Sequence, residues 1–438
     1  MAAVLALSGM LAIAGQIAPW LPLSMIPPAS ARSNSQTRPI ARGGPAFARV
    51  TAALFLGAFT TFALLYSVQP LLPVFARDFD VSPAAASLSL SLSLATLTMA
   101  PALIVAGSAS EVWGRKHLMV ASLAASSMAT LIASMARDWT ILLVLRALTG
   151  LALSGLPAVA MAYLADEMAP AALGLAMGLY IAGTTLGGMA SRLGASALAD
   201  YWNWRAAIAA TGFVGLLGAA FLAYALPRER AFAAGTPDMR RLARALAGHF
   251  ADPGLRLLFA EGFLVMGSLV CTYNYIGFRL AAPPFSLSQT TIGFVFALYL
   301  VGAASSALMG ELAGRLGRRR VIWIAAMIEL VGVAVTLPDN LGAVIGGVAL
   351  ITWGFFGVHS IASSWVGLRA PTGRAQATAL YLFFYYLGSS VAGSAGGWFF
   401  ALWAWPGVAG LLGVLVGCAL LVALRLSKVP PPRHPQVP

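Results

Sequence analysis

Gly107–Leu118 reads G-S-A-S-E-V-W-G-R-K-H-L, and the pattern returns at Gly310–Val321 as G-E-L-A-G-R-L-G-R-R-R-V. Each copy follows a long apolar run. Each has a glycine, then seven residues on a second glycine with two basic residues behind it: Gly107, Gly114, Arg115, Lys116 and Gly310, Gly317, Arg318, Arg319. Glycine lets a chain reverse tightly where a side chain would clash, and cations beside an apolar helix stay on the wet, cytoplasmic side of a membrane. Two such turns, 203 residues apart, predict two helical halves built on one plan.

The repeated turn resembles the loop signature of the major facilitator superfamily, G-x-L-a-D-R-x-G-R-K, with Glu111 for its Asp and Val112 for its Arg. The resemblance runs from about Val50 to Arg425. It implies an all-α membrane protein of the major facilitator fold, twelve transmembrane helices in two six-helix halves, with a substrate cavity between them that opens alternately to either side. No cofactor is implied, and the family is usually monomeric.

Composition agrees with a bilayer as solvent. The 438 residues are 60% hydrophobic and 9% charged, too apolar for a single aqueous core. Inside lipid only helices or closed barrels satisfy the backbone, and alternating strand patterns are absent. The net charge of +13 does not point to nucleic acid, because 21 of the 27 Lys and Arg fall in segments that would share one face. Cys271 and Cys418 lie in apolar runs and indicate neither a disulfide nor a thiolate metal site. An enzyme is not indicated either: His117, His249, His359 and His434 are scattered, and no H-x-x-x-H or G-x-S-x-G occurs.

In chain order, residues 1–49 hold an apolar extension and a basic linker, with 1–31 read as an appendage outside the functional core. Twelve apolar segments follow, at about 50–72, 84–107, 118–136, 139–164, 171–197, 205–226, 257–280, 290–313, 320–337, 341–366, 376–400 and 403–425. They form an N-terminal bundle (50–226) and a C-terminal bundle (257–426), separated by a cytoplasmic linker (227–256) and followed by a disordered tail (427–438). This places both ends of the twelve-helix core in the cytoplasm, as expected of a multi-pass protein of the bacterial inner membrane. The linker's M-R-R-L-A-R-A-L-A-G-H-F spaces apolar residues as a helix lying on an anionic leaflet would. Duplication shows again in Tyr180–Gly188, Y-I-A-G-T-T-L-G-G, against Tyr385–Gly393, Y-Y-L-G-S-S-V-A-G, at an offset of 205.

Charged residues inside apolar segments are expensive and are candidates for function. Arg146, in R-A-L-T-G, resembles the family's R-x-x-q-G motif associated with proton coupling; the other reading is an arginine bonded to helix-end carbonyls. Glu261, among Phe259, Phe263 and Leu264, is the first candidate proton carrier and Glu329 the second, with an interfacial glutamate and an interhelical hydrogen bond as the respective alternatives. Gly183, Gly187 and Gly188 resemble the antiporters' fifth-span signature without its proline, and glycines at this spacing also serve close helix packing. The resemblance further implies a gating network of Gly107, Glu111, Gly114, Arg115, Lys116 and Asp166, with Gly310, Gly317 and Arg318 as a weaker second copy; Gly314 replaces the acid there and Arg369 stands near the position of Asp166.

For substrate contact the central spans offer Tyr66, Gln69, Tyr180, Tyr273, Asn274, Tyr299, Trp353, His359, Tyr381 and Tyr385. Arg192 is either a cavity cation or an arginine aimed at Asp200. Aromatic faces with few polar groups suit amphiphilic compounds. The expectation is therefore a proton-coupled secondary transporter exporting small amphiphilic or drug-like compounds, its partners being that substrate, the proton and the lipid bilayer. A sugar or other metabolite transporter of the same fold is the alternative.

Overall fold

A computed structural model describes residues 39–82, 92–229, 239–370 and 374–430. The expectations for residues 1–31 and for the tail past Pro430 lie outside the described residues, as do those for the surroundings of Gly107 and the Glu111 side chain. Among the described residues the regular structure is helical apart from one isolated bridge, Ile40 to Met168.

The helices are α1 Pro45–Tyr66, α2 Leu72–Asp78, α3 Leu92–Trp113, α4 Arg115–Ala133, α5 Trp139–Leu153, α6 Pro157–Glu167, α7 Pro170–Tyr201, α8 Trp204–Ala225, α9 Met239–Ala251, α10 Pro253–Ala281, α11 Gln289–Phe294, α12 Tyr299–Leu316, α13 Arg318–Val335, α14 Leu341–Arg369 and α15 Arg374–Leu426. Side chains cap several starts: Asp138, Asn203, Asp252, Ser288 and Asn340 each accept a backbone N–H of the first turn. Joining the broken pairs α1/α2, α5/α6 and α11/α12, dividing α15 at Trp403 and Ala404, and setting aside the linker helix α9 gives the twelve spans. Among the described residues seven runs are long and apolar enough to cross a membrane on length and composition alone.

The signature turns are tighter than expected. Helix α3 continues past Gly107 to Trp113, and the reversal is made at Gly114 alone, with φ +83; Gly317 does the same after α12, with φ +88. A side chain at such angles costs about 1–3 kcal/mol. Gly114→Ala is expected to lower stability more than Gly317→Ala, because a Cβ at Gly114 would also press on Glu229 Oε1, 2.5 Å away, whereas Gly317 has open space. Thermal unfolding of the two variants side by side checks this order.

The repeat extends to packing. Helices α1 to α8 pack chiefly among themselves, as do α10 to α15. A Cβ on Gly183 of α7 would strike the Phe55 carbonyl of α1, and one on Gly388 of α15 would strike the Phe263 carbonyl of α10. Gly183 and Gly388 are 205 residues apart, Phe55 and Phe263 208 apart, so the same backbone approach is built twice. One turn further, Gly187 of α7 meets the Phe59 carbonyl, whereas in the second half the glycine moves to α10, where Gly267 faces Ala392. Small residues at these crossings let helices approach closely without a hydrophobic driving force.

At the end opposite the Gly114 and Gly317 turns, called the far end below, arginines satisfy open helix termini. Arg205 donates to the Ser134 and Ala136 carbonyls (3.1 and 2.6 Å) after α4, and Arg279 to the Thr336 and Pro338 carbonyls (2.9 Å for Pro338) after α13. A cation suits the partial negative charge there.

Candidate functional site at the seam between the halves

Helix α1 stops at Tyr66 because Pro70 lacks the N–H that would continue the ladder, and a 3-10 turn, Gln69–Leu71, leads into α2. The break turns Gln69 inward. Its Nε2 donates to Asn274 Oδ1 of α10 at 2.8 Å, a bond between the first half and the second. Its Oε1 accepts from Arg192 Nε of α7, also at 2.8 Å. Arg192 Nη1 donates to the Gly188 carbonyl (2.8 Å) and Nη2 to the Tyr299 hydroxyl of α12 (3.3 Å).

Aromatic rings enclose this guanidinium, with centroids at 4.0 Å (Tyr66), 4.6 Å (Tyr299) and 5.1 Å (Phe296). Tyr273 stacks on Phe296 and shares a hydrogen bond with Thr352 at 2.8 Å. Gly188 is needed beside it, since a Cβ there would stand 3.0 Å from Arg192 Nη1. Arg192 is 1% exposed and turns away from Asp200, which instead accepts from Thr290 Oγ1 at 2.6 Å. Of the two sequence readings of Arg192, the geometry has the interior one.

Further bonds cross the seam in the far half of the bundle. Thr96 of α3 shares hydrogen bonds with Ser389 and Ser390 of α15 (3.1 and 2.8 Å), and Gln289 donates to the Pro70 carbonyl.

The second half contributes an aromatic cluster. His359 Nδ1 and the Tyr381 hydroxyl are hydrogen-bonded at 2.8 Å, and the His359 ring lies against Tyr385 (4.7 Å) and Phe355 (5.7 Å). Ring contacts run from Tyr299 through Phe356 and Phe355 to Tyr385, which joins this cluster to the first. Tyr180 donates to the Pro157 carbonyl at the α5/α6 break, and the Trp353 backbone carbonyl accepts from Ser305.

Glu261 and Glu329 are both 0% exposed, and neither carboxyl has a hydrogen-bond partner among the described residues. Ser268 of α10 lies near Glu329, but its hydroxyl stands outside hydrogen-bond geometry. Next to Glu261, Gly262 has no side chain and so leaves room for the Tyr381 ring. Helix α10 begins at Pro253, ahead of the apolar stretch marked in the sequence, and Phe250 of α9 packs against Phe259 and Phe384 near its start. Glu329 meets α14 where Gly354 leaves it room. Arg146 donates to the Leu64 and Leu65 carbonyls (both 3.0 Å), which the end of α1 leaves open.

At the turn end, Arg115 pairs with Asp166 and donates to the Ala162 carbonyl at 2.9 Å. Glu229, a linker residue that nothing local in the chain singles out, accepts the Arg115 backbone N–H at 2.8 Å and so caps α4. The second half is wired differently. Arg369 pairs with Asp252 (2.6 Å), and Arg319 donates to the Ser427 and Val429 carbonyls (3.1 and 2.6 Å) that follow α15. Phe296, Tyr386, Ser389 and Ser390 are likewise missed by sequence reasoning, since nothing local sets them apart from packing residues.

The sequence profile described as Major Facilitator Superfamily matches residues 54–283 and 263–438. The uncharacterized MFS-type transporter YybF of Bacillus subtilis (strain 168) is 43% identical over 388 residues, 89% of this chain and 95% of that one. The inner membrane transport protein YnfM of Escherichia coli (strain K12) is 43% identical over 389 residues, 89% and 93% of the two chains. Among solved structures, an inward-facing, unoccupied bacterial homolog of the human lysosomal transporter Spinster superposes with a TM-score of 0.71 at 16% identity, covering 88% of this chain and 97% of that one. With its paired halves, its twice-built turn and these relatives, the chain belongs to the Major Facilitator Superfamily of membrane transporters.

Proposed function

We propose that the protein is a proton-coupled secondary transporter that exports small amphiphilic compounds by alternating access at the seam described above. The observation that carries the coupling is that Glu261 and Glu329 are wholly buried and have no hydrogen-bond partners among the described residues. An ionised carboxylate without a counter-charge costs several kcal/mol in such a place. Each acid therefore holds its proton while enclosed and releases it when a rearrangement admits water, which links proton movement to conformation. The aromatic lining from Tyr66 to Tyr385 would hold an apolar body by stacking and desolvation.

On this reading residues 50–226 and 257–426 move as two bodies, and the Arg115–Asp166 pair and the Glu229 cap brace the first of them at the cytoplasmic face. The positive-inside pattern of the arginine-rich turns supports a cytoplasmic location for both ends of the core, and the name of the E. coli relative favours the inner membrane. A monomer suffices, since both halves of the seam come from one chain.

The test is transport in proteoliposomes under an imposed pH gradient, with a panel of fluorescent amphiphiles. Glu261→Gln and Glu329→Gln keep size and polarity but cannot ionise. At least one is expected to lose gradient-driven accumulation while retaining exchange of labelled for unlabelled compound. If both variants still follow the gradient, the coupling assignment is overturned; if only sugars move, the metabolite alternative replaces it.

A further inference from the structure

The Nε–Nη2 edge of Arg192 is the edge on which a guanidinium receives a carboxylate through two parallel hydrogen bonds. Here that edge carries two neutral oxygens, one from each half: Gln69 Oε1 at 2.8 Å and the Tyr299 hydroxyl at a looser 3.3 Å. Among the described residues no carboxylate pairs with Arg192, although it is 1% exposed. A guanidinium has five N–H donors, and the bonds present use three. The arginine also breaks the internal repeat. The position 205 residues on is Gly397, so the cation is particular to this side of the seam.

From this geometry we infer that Arg192 receives the carboxylate of a monoanionic aromatic or amphiphilic substrate, and that Gln69 and Tyr299 stand in for it in the present state. This rests on the reading of the seam as the transport path. One negative charge matches the positive charge of Arg192, which no carboxylate among the described residues offsets. The rings of Tyr66, Phe296 and Tyr299 supply the surface for the apolar body. Gln69 holds Arg192 with one end of its amide and Asn274 of the other half with the other end. A carboxylate that displaces Gln69 and Tyr299 removes Arg192's link between the halves, so the substrate itself loosens the far-end closure.

The experiment measures calorimetric binding of 1-naphthoate, its neutral amide and 1-naphthylmethylammonium to the purified full chain, with naphthalene-1-sulfonate and 1-naphthyl phosphate as further anions. The carboxylate is expected to bind roughly ten- to a hundredfold more tightly than the amide, the range of a charge-assisted hydrogen bond. Naphthyl phosphate, bearing a second charge, should bind no more tightly than naphthoate, and the cation most weakly. In Arg192→Gln the preference for carboxylate over amide should disappear while the amide still binds; Arg192→Lys should retain part of it. The comparison within the parent protein needs no variant and stands even if Arg192→Gln fails to fold. Equal binding of carboxylate and amide by the parent, binding of neither, or an undiminished preference in a folded Arg192→Gln overturns the inference. Gradient-driven transport of neutral or cationic amphiphiles that persists alongside such a result leaves the transporter reading standing, so the two fail separately.

Discussion

Gly187→Leu is expected to leave almost no folded protein. Along α7 the chain runs so close to α1 that even a methyl on Gly187 would overlap the Phe59 carbonyl, and one on Gly183 would overlap that of Phe55. The obstacle is backbone, which cannot rotate aside, so the two helices must part along a whole face. Overpacking usually costs 1–3 kcal/mol, and a branched side chain driven into backbone should exceed about 3 kcal/mol. Gly178 lies on the same helix with nothing within 4 Å of where a Cβ would stand, so Gly178→Leu should behave as the parent does. Gly388→Leu, facing the Phe263 carbonyl, should repeat the damage in the second half. Monodisperse yield on fluorescence-detected gel filtration, with thermal unfolding of what survives, distinguishes these outcomes. A Gly187→Leu protein with the parent's melting temperature would mean that α1 and α7 are not in contact here.

Asp252→Ala should cost about 3–5 kcal/mol, the range for removing one partner of a buried ion pair. Its Oδ1 accepts both the Leu255 backbone N–H, capping α10 (2.8 Å), and Arg369 Nε of α14 (2.6 Å). Arg369 has only 4% of its side chain exposed, and without the acid it keeps a single described bond, to the Pro430 carbonyl. Loss of the cap adds about 1 kcal/mol within that total. Glu311→Ala provides the contrast. Its pair with Arg315 is exposed on one helix surface, and removing it should change stability by no more than about 0.5 kcal/mol. Chemical denaturation of the two variants in the same detergent measures the difference. Equal effects would show that Arg369 finds water once Asp252 is gone.

The features readable from sequence share one property: each is encoded within a few residues of itself. Apolar runs mark the spans, Gly114 and Gly317 mark the reversals, and the spaced arginines of the linker mark α9, found at Met239–Ala251. Duplication was readable as well, because an offset near 205 holds for turn and packing glycines alike. Element ends were less so. Helix α3 continues to Trp113, where Gly114 alone ends it, and α10 begins at Pro253, where Asp252 caps it.

The choice among polar partners was not readable. Asp200 is eight residues from Arg192 on the same helix, yet the arginine bonds Gln69, 123 residues away, and Tyr299, 107 residues away. Glu229 reaches Arg115 across 114 residues, and Asn274 reaches Gln69 across 205. Sequence alone thus determined a membrane-spanning helical protein with a doubled plan, because hydrophobic length and backbone conformation are local energies. Only the tertiary structure decided which buried charges are left without counter-charges and which side chains join the halves, because a polar group in a water-poor interior takes whatever partner packing brings within about 3 Å.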